Sequence, residues 1–353
     1  MTQSGDLRGP TFYPANLLAS LLVLALMALA YWKFSGPDVP DWIGYSRIFD
    51  QEGSWLARQG RDPLFIQLVR WARLAFGPNG YAVFRFGLFG VVSIFAARIA
   101  YAMPSKFVSP VFAAALVVAA MALKGLVQIR EGLAFVFVAW PMIGVFRGKT
   151  GGRLAAGAGA LIGALIHIGA GAFVVAWLVA YALYLSPSRV LRGRGVVWAL
   201  STLGVSAGAV AAVLIFRFST AIEFDLQDFG VDTSVQAVGG VQKYIFWGCS
   251  GVAVLVAGHQ LLSAAQGSRK FGYAYAMVLG AAILPGLYVV CAVLVFSDFY
   301  LPAATSLSVR LLLSSMSLSL LIVGLRGKAT ASTLGIATAV FLYGLRPLIL
   351  QGP

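Results

Sequence analysis

The chain has 353 residues, of which 60% are hydrophobic and 11% are charged, and its formal net charge is +14. This composition excludes a water-soluble globular protein, because apolar side chains would have to cover the surface as well as fill the core. The basic residues occur in short clusters between apolar runs and not in one patch, so they indicate membrane topology and argue against nucleic-acid binding.

The first apolar run predicts a membrane span at residues 13–32, and the ten residues at the start lack the basic region and cleavage site of a signal peptide. Residues 33–62 are polar and form the predicted first outer loop. Residues 63–76 have an amphipathic pattern that Arg70 and Arg73 interrupt, so we expect a helix that lies at the membrane interface. A Gly-Pro-Asn-Gly turn follows at 77–80.

Further spans are predicted along the rest of the chain. Their ranges are 81–102, 108–124, 131–146, 154–169, 170–186, 196–218, 244–265, 273–296, 305–325 and 331–350. The two spans beside His167 are short and rich in glycine, which leaves broken or re-entrant segments open as the alternative. The predicted fold is therefore an all-α polytopic membrane protein of about 11 helices, in the range of about 10–12, forming a single integral membrane domain over 1–353.

The charges of the loops predict the orientation of the chain. Basic loops at 147–153, 189–194, 269–270 and 326–328 alternate with loop 219–243, in which four carboxylates oppose one lysine. Lysine and arginine resist translocation, so the basic loops are expected on the cytoplasmic side of the inner membrane. This orientation gives a cytoplasmic N-terminus and places the loops 33–62 and 219–243 in the periplasm.

Several polar side chains interrupt the apolar pattern at one depth, near the outer membrane face. They are Gln128, Arg130 and Glu131 between two spans, His167 at the end of a span, Arg310 at the start of another, and Asp41 and Tyr45 in the first outer loop. An ionisable group inside a span costs at least about 2.5–3.5 kcal/mol at the bilayer centre, so it needs a partner or an aqueous cavity. A cation cluster here suits a lipid-linked pyrophosphate, since arginine offers a planar and always charged set of donors.

Structural roles for the same residues stay open at this point. Arg130 and Glu131 could form an ion pair at a helix end, Arg310 could extend to the lipid headgroups, and His167 could be a packed core histidine. The chain has two cysteines, both in apolar runs, and two histidines in unrelated segments. These residues predict neither a disulfide nor a metal site.

Short segments of the chain resemble the EpsG-type family, which are multi-spanning proteins of bacterial exopolysaccharide operons and are similar to Wzy polysaccharide polymerases. The segments are Asp41-Trp42 with Tyr45 and Phe49, Asp62-Pro63-Leu64-Phe65, Gln128-Ile129-Arg130 with Leu133-Ala134, Ile166-His167, and Arg310. They keep the order of the family over residues 40–310. The chain departs from the family pattern at three of these positions, where the family has a tyrosine in place of Trp42, a glutamate in place of Asp62 and a glutamine in place of Glu131. It also lacks the hydroxyl residue that follows the histidine in the family, because Ile168 and Gly169 follow His167.

The resemblance implies glycosyl transfer at the periplasmic face of the bacterial inner membrane, without a metal or another cofactor. A growing glycan linked through pyrophosphate to a polyprenol would be the donor, and the next lipid-linked repeat unit would be the acceptor. Arg130 and Arg310 would bind the pyrophosphate, with Gln128, Glu131 and Tyr45 in the same site. The base would be His167 or, as the competing candidate, Asp41.

The expected partners are the lipid-linked donor and acceptor, membrane lipid, and other exopolysaccharide assembly and export proteins. Two alternative functions stay open. One is a different lipid-linked glycosyltransferase of the GT-C-like kind. The other is a flippase or exporter of lipid-linked oligosaccharide, which would favour a charged cavity through the membrane over charges at one face.

Overall fold

A computed structural model describes residues 14–34, 42–53, 62–104, 108–126, 128–146 and 152–167, and the single residues 170, 171, 174, 317, 320, 321, 324 and 325. The helices of this part are α1 (Pro14–Phe34), α2 (Trp42–Asp50), α3 (Pro63–Phe76), α4 (Tyr81–Ala102), α5 (Pro110–Leu126), α6 (Ile129–Phe146) and α7 (Gly152–Ile166). The described part is mostly helical, as predicted. Loop 219–243, Asp41 and Arg310 lie outside the described residues, as do the predicted spans after 169 apart from the single residues.

Helix α3 has the bounds that the sequence predicts, because both of its ends carry local signals. Pro63 occupies the first turn, where no backbone N–H is needed, and Gly77 ends the helix with a φ of 74° that glycine adopts without strain. The Gly77 N–H donates to the carbonyl oxygen of Arg73. The predicted turn follows before α4 begins at Tyr81. The position of α3 at a membrane surface stays a prediction.

Helix α2 lies within residues 33–62, where the sequence analysis assigned only a polar loop. Its nine residues are too short for a stable isolated helix, so tertiary packing has to stabilise them. Ile48 and Phe49 provide that packing, because both are buried in the core of the bundle. The Phe49 ring lies 5.9 Å from the ring of Tyr81 and 5.6 Å from that of Phe84, both on α4.

Helices α1, α4 and α5 pack side by side, and hydrogen bonds from side chains to backbone carbonyls give their directions. Asn16 donates to Tyr101 at 2.8 Å and Ser20 donates to Ala97 at 2.7 Å, so α1 and α4 are antiparallel. At the opposite end, Arg85 Nη2 donates to the Leu126 carbonyl at 2.6 Å, so the start of α4 lies beside the end of α5. We call this second end, which holds Tyr81, Leu126 and Ile129, the Tyr81 end.

Helices α6 and α7 approach each other through glycine. A Cβ at Gly159 would lie 2.2 Å from the carbonyl oxygen of Phe137, and one at Gly163 would lie 3.0 Å from that of Ala134. Two glycines four residues apart therefore bring the backbones into direct contact, a packing that is common between helices in membranes. This contact determines where the last turn of α7 lies, and with it His167.

We expect Gly159→Ala to lower the free energy of unfolding by about 1–3 kcal/mol, because the added methyl group meets a backbone atom that cannot move aside. Gly87→Ala is the matched control, since a Cβ there would meet nothing within 4 Å and alanine favours the helix by about 0.5–1 kcal/mol. Denaturant titration of both variants in detergent measures the difference. Equal unfolding midpoints for the two variants would show that the α6–α7 contact is looser than described.

Among the helices of the described residues, two are long and apolar enough to cross a membrane, α1 over Pro14–Lys33 and α4 over Tyr81–Ala102. Shorter apolar helices are found at Pro110–Ala122 and Leu154–Ile166. Both long helices direct large apolar side chains away from the bundle. These exposed side chains include Leu18, Leu21, Leu29, Trp32, Phe86 and Ile94.

Candidate functional site

The centre of the candidate site is the buried carboxylate of Asp62, a residue that is 2% exposed. Its Oδ2 atom lies 2.6 Å from Nη1 of Arg130 and 3.6 Å from Nδ1 of His167. The first contact is a short charge-assisted hydrogen bond, and the second is slightly longer than a hydrogen bond. Two basic groups from distant segments of the chain therefore meet at one oxygen atom of the Asp62 carboxylate.

The backbone of Asp62 has an unusual conformation for this role. Asp62 is the N-cap residue of α3 with φ 51° and ψ 48°, and its side chain makes no cap hydrogen bond. The missing cap costs about 0.5–2 kcal/mol and the left-handed backbone on the order of 1–3 kcal/mol. The proline that follows disfavours such a backbone further. Asp62 thus has neither the side-chain cap bond nor the extended backbone that its sequence position favours, and its carboxylate contacts Arg130 and His167 instead of the N-terminus of α3.

Two aromatic rings hold the guanidinium of Arg130. Its Cζ atom lies 5.5 Å from the ring centroid of Tyr45, on α2, and 6.0 Å from that of Phe65, on α3. The two rings meet edge to face, with centroids 6.4 Å apart. Each cation–π contact adds about 0.5–2 kcal/mol, with the larger values in desolvated surroundings. Arg130 is therefore positioned by its aromatic neighbours as well as by Asp62.

Arg73 fixes α2 against α3 and so places Tyr45. Its Nη1 group donates to the carbonyl oxygen of Phe49 at 3.1 Å and to that of Asp50, and its Nε lies 3.3 Å from the carboxylate of Glu52. Carbonyl groups at a helix C-terminus lack intrahelical donors and carry partial negative charge, so a guanidinium stabilises this end of α2. These contacts explain why the charged Arg73 interrupts the apolar pattern of α3.

Glu131 belongs to a neighbouring ion pair. Its Oε1 atom lies 2.6 Å from Nζ of Lys124, which is 2% exposed and also lies 4.8 Å from the centroid of the Phe135 ring. Gly132 permits this contact, because a Cβ there would lie 2.1 Å from the carbonyl oxygen of Lys124. The structure thus gives Glu131 a lysine partner and Arg130 an aspartate partner.

Gln128 lies next to this pair in the connection between α5 and α6. Its Oε1 atom is buried and has no hydrogen-bond partner among the residues that the structure describes. Buried amide oxygens normally accept at least one hydrogen bond, so this atom is an acceptor for which the described part of the chain supplies no donor.

The structure brings together Tyr45, Arg130 and His167, three of the residues that the sequence predicts for the site, and places Gln128 and Glu131 beside them. Asp41 and Arg310 lie outside the described residues. The role of Asp62 was not predicted, because an aspartate before a proline and an apolar helix is typical of an ordinary helix start. Two signals pointed to Asp62: its place in one of the segments that resemble the EpsG-type family, and its charge at the same predicted membrane face as Arg130 and His167.

Within the described ranges, no group of three or more His, Cys, Asp or Glu side chains could hold a metal ion. Comparison of the chain with protein-family models, with curated proteins and with solved structures finds no match. What the site can do therefore follows from its own chemistry. It combines a buried carboxylate, an imidazole and a guanidinium at one end of an apolar helix bundle.

Proposed function

We propose that this protein is a Wzy-like polysaccharide polymerase, which joins polyprenyl-pyrophosphate-linked repeat units at the periplasmic face of the bacterial inner membrane. The observation that carries the proposal is the convergence of Tyr45, Asp62, Arg130 and His167 at the Tyr81 end. These residues come from four of the five segments that resemble the EpsG-type family. If the resemblance had arisen by chance from the composition of the chain, there would be no reason for the four segments to meet around one carboxylate.

The proposal includes a polytopic chain of about 11 spans with a cytoplasmic N-terminus. The length and apolar character of α1 and α4 support it, as do the large apolar side chains that these helices expose. Exposed apolar surface of this kind is unfavourable in water and favourable in lipid. In the proposed orientation the Tyr81 end of the bundle faces the periplasm.

The proposed reaction is a displacement at the anomeric carbon of the donor. A hydroxyl group of the incoming repeat unit attacks this carbon, and the bond from the carbon to the pyrophosphate oxygen breaks. The polyprenyl pyrophosphate leaves with the bonding electron pair, and the proton of the attacking hydroxyl passes to Nε2 of His167. An imidazole suits this step, because it accepts and releases protons near neutral pH.

Arg130 and Arg310 are proposed to stabilise the charge that develops on the leaving pyrophosphate. Fixed cations lower such a barrier because they need no rearrangement during the reaction. Arg130 meets this condition through its contacts with Asp62, Tyr45 and Phe65. The amide of Gln128 and the ring of Tyr45 are proposed to contact the sugars next to the pyrophosphate. Glu131 is the further candidate for a sugar contact.

Reconstitution with a purified lipid-linked repeat unit tests the function. We expect a ladder of product lengths on a gel and the release of polyprenyl pyrophosphate, with protein-free vesicles as the control. Addition of a single sugar would instead identify another lipid-linked glycosyltransferase. Movement of the repeat unit between leaflets without chain growth would identify a flippase, and either result would contradict the proposal.

A further inference from the structure

We infer that Asp62 is a positioning residue that holds the imidazole of His167 with its proton on Nδ1, leaving the lone pair of Nε2 for the acceptor hydroxyl. The contact between the two side chains follows from the geometry of the site. The purpose of the contact, to prepare a base for glycosyl transfer, rests on the proposed function.

The orientation of the imidazole supports this role. The Nδ1 atom of His167 faces Oδ2 of Asp62 at 3.6 Å, and it is buried without a hydrogen-bond partner among the described residues. An ionised carboxylate only accepts hydrogen bonds, so it favours the tautomer with the proton on Nδ1. Shortening by a few tenths of an ångström would complete the hydrogen bond, and contacts of catalytic groups commonly tighten when substrate binds.

The position of the carboxylate is set before any substrate arrives. The left-handed backbone of Asp62 directs the side chain away from the first turn of α3, where it makes no cap hydrogen bond. Arg130 binds the same oxygen at 2.6 Å, so the carboxylate cannot turn back without losing this pair. Asp62 therefore resembles the third member of catalytic groups in which a carboxylate orients a histidine base.

A simpler role for Asp62 would be to balance the charge of Arg130. In that case removal of the carboxylate would change the stability of the protein and the binding of the pyrophosphate, and it would leave the tautomer of His167 unchanged. The tautomer therefore separates the two roles, and its measurement needs no substrate.

Two variants isolate the effect, because asparagine and glycine both accept the φ of 51° found at Asp62. Asp62→Asn retains an acceptor oxygen and removes the charge, whereas Asp62→Gly removes both. The chain has two histidines, so the substitution His259→Gln leaves one imidazole, that of His167, to observe by nitrogen NMR after labelling of histidine. We expect the neutral ring to carry its proton on Nδ1 in the parent and in Asp62→Asn, and largely on Nε2 in Asp62→Gly.

The polymerisation rate of the same proteins should fall in the variants in which the proton of His167 moves from Nδ1 to Nε2. We expect Asp62→Gly to lower kcat by about 10²–10⁴-fold, the contribution of a positioned base, with KM for the lipid-linked unit changed much less. Asp62→Asn should fall between this variant and the parent. If Asp62→Gly does not fold because Arg130 loses its charge partner, the double variant Asp62→Gly/Arg130→Gln removes both charges and permits the same NMR measurement.

An imidazole that keeps its proton on Nδ1 in Asp62→Gly, or in the double variant, would overturn the inference. A parent protein that makes no polymer, combined with a tautomer that changes in Asp62→Gly, would reject the polymerase function and retain the positioning role of Asp62. The failure of the inference and the failure of the proposed function are therefore distinguishable.

Discussion

His167→Ala is expected to lower the polymerisation rate by about 10²–10⁴-fold, because the acceptor hydroxyl would lose the group that removes its proton. Binding of the lipid-linked substrate should be largely retained, since the proposed pyrophosphate contacts come from Arg130 and Arg310. Single-turnover rates and substrate binding, measured separately in proteoliposomes, test both parts of this expectation. His259→Gln is the matched control, because it changes the second histidine and should keep the parent rate.

The glutamine variant at the same position distinguishes a base from a packing residue. His167→Gln keeps much of the size and the hydrogen-bonding capacity of the side chain, but it cannot take a proton at neutral pH. If His167 is the base, His167→Gln should be as slow as His167→Ala while its thermal stability stays near that of the parent. Near-normal turnover in His167→Gln would reject the base assignment and leave Asp41 as the candidate.

Arg130→Ala is expected to abolish detectable polymer while the protein is still expressed. Loss of one fixed group that stabilises developing charge typically costs about 10²–10³-fold in rate. Arg130→Lys should restore only part of the activity, because an ammonium group is a point charge without the planar fork that binds pyrophosphate oxygens in pairs. Arg98→Ala is the control, since Arg98 is an exposed arginine on α4. Gel sizing of the glycan from cells that carry each variant measures the effect.

A loss of folding could imitate the expected result for Arg130→Ala. Removal of one partner of a buried ion pair destabilises a protein by about 3–5 kcal/mol, because the other charge stays buried, and Asp62 is 2% exposed. The double variant Arg130→Ala/Asp62→Asn removes both charges and should recover stability. If this variant also recovers polymer of normal length, Arg130 has a structural role and no direct role in the reaction.

Local patterns in the sequence were sufficient for all helices of the described part except α2. Helices α3 and α4 begin and end at the residues predicted for them, because the apolar period, Pro63 and the Gly-Pro-Asn-Gly turn act over a few neighbouring residues. The same local reasoning missed α2, whose nine residues are stabilised by the burial of Ile48 and Phe49 and not by helix propensity.

Arg130 and His167 could be selected as site candidates from the sequence alone, since a polar side chain that interrupts an apolar segment is costly without a partner. The identity of the partner could not be found in this way. Residues 130 and 167 meet because α6 and α7 touch through Gly159 and Gly163, and Asp62 joins them through its ion pair with Arg130. Tyr45 is brought to the same site because Arg73 fixes α2 against α3. These contacts join segments that are distant along the chain, and no local pattern encodes them.

Asp62 shows most directly where tertiary structure decides the outcome. Its neighbours in the sequence favour an ordinary N-cap, in which the carboxylate accepts hydrogen bonds from the first turn of α3. In the folded protein Arg130 arrives from the start of α6, and its always charged guanidinium competes for the same carboxylate. A buried hydrogen bond in which both partners are charged is stronger than a cap bond, in which the backbone N–H donor is neutral, so the carboxylate contacts Arg130 and lies beside His167, at the cost of a left-handed backbone.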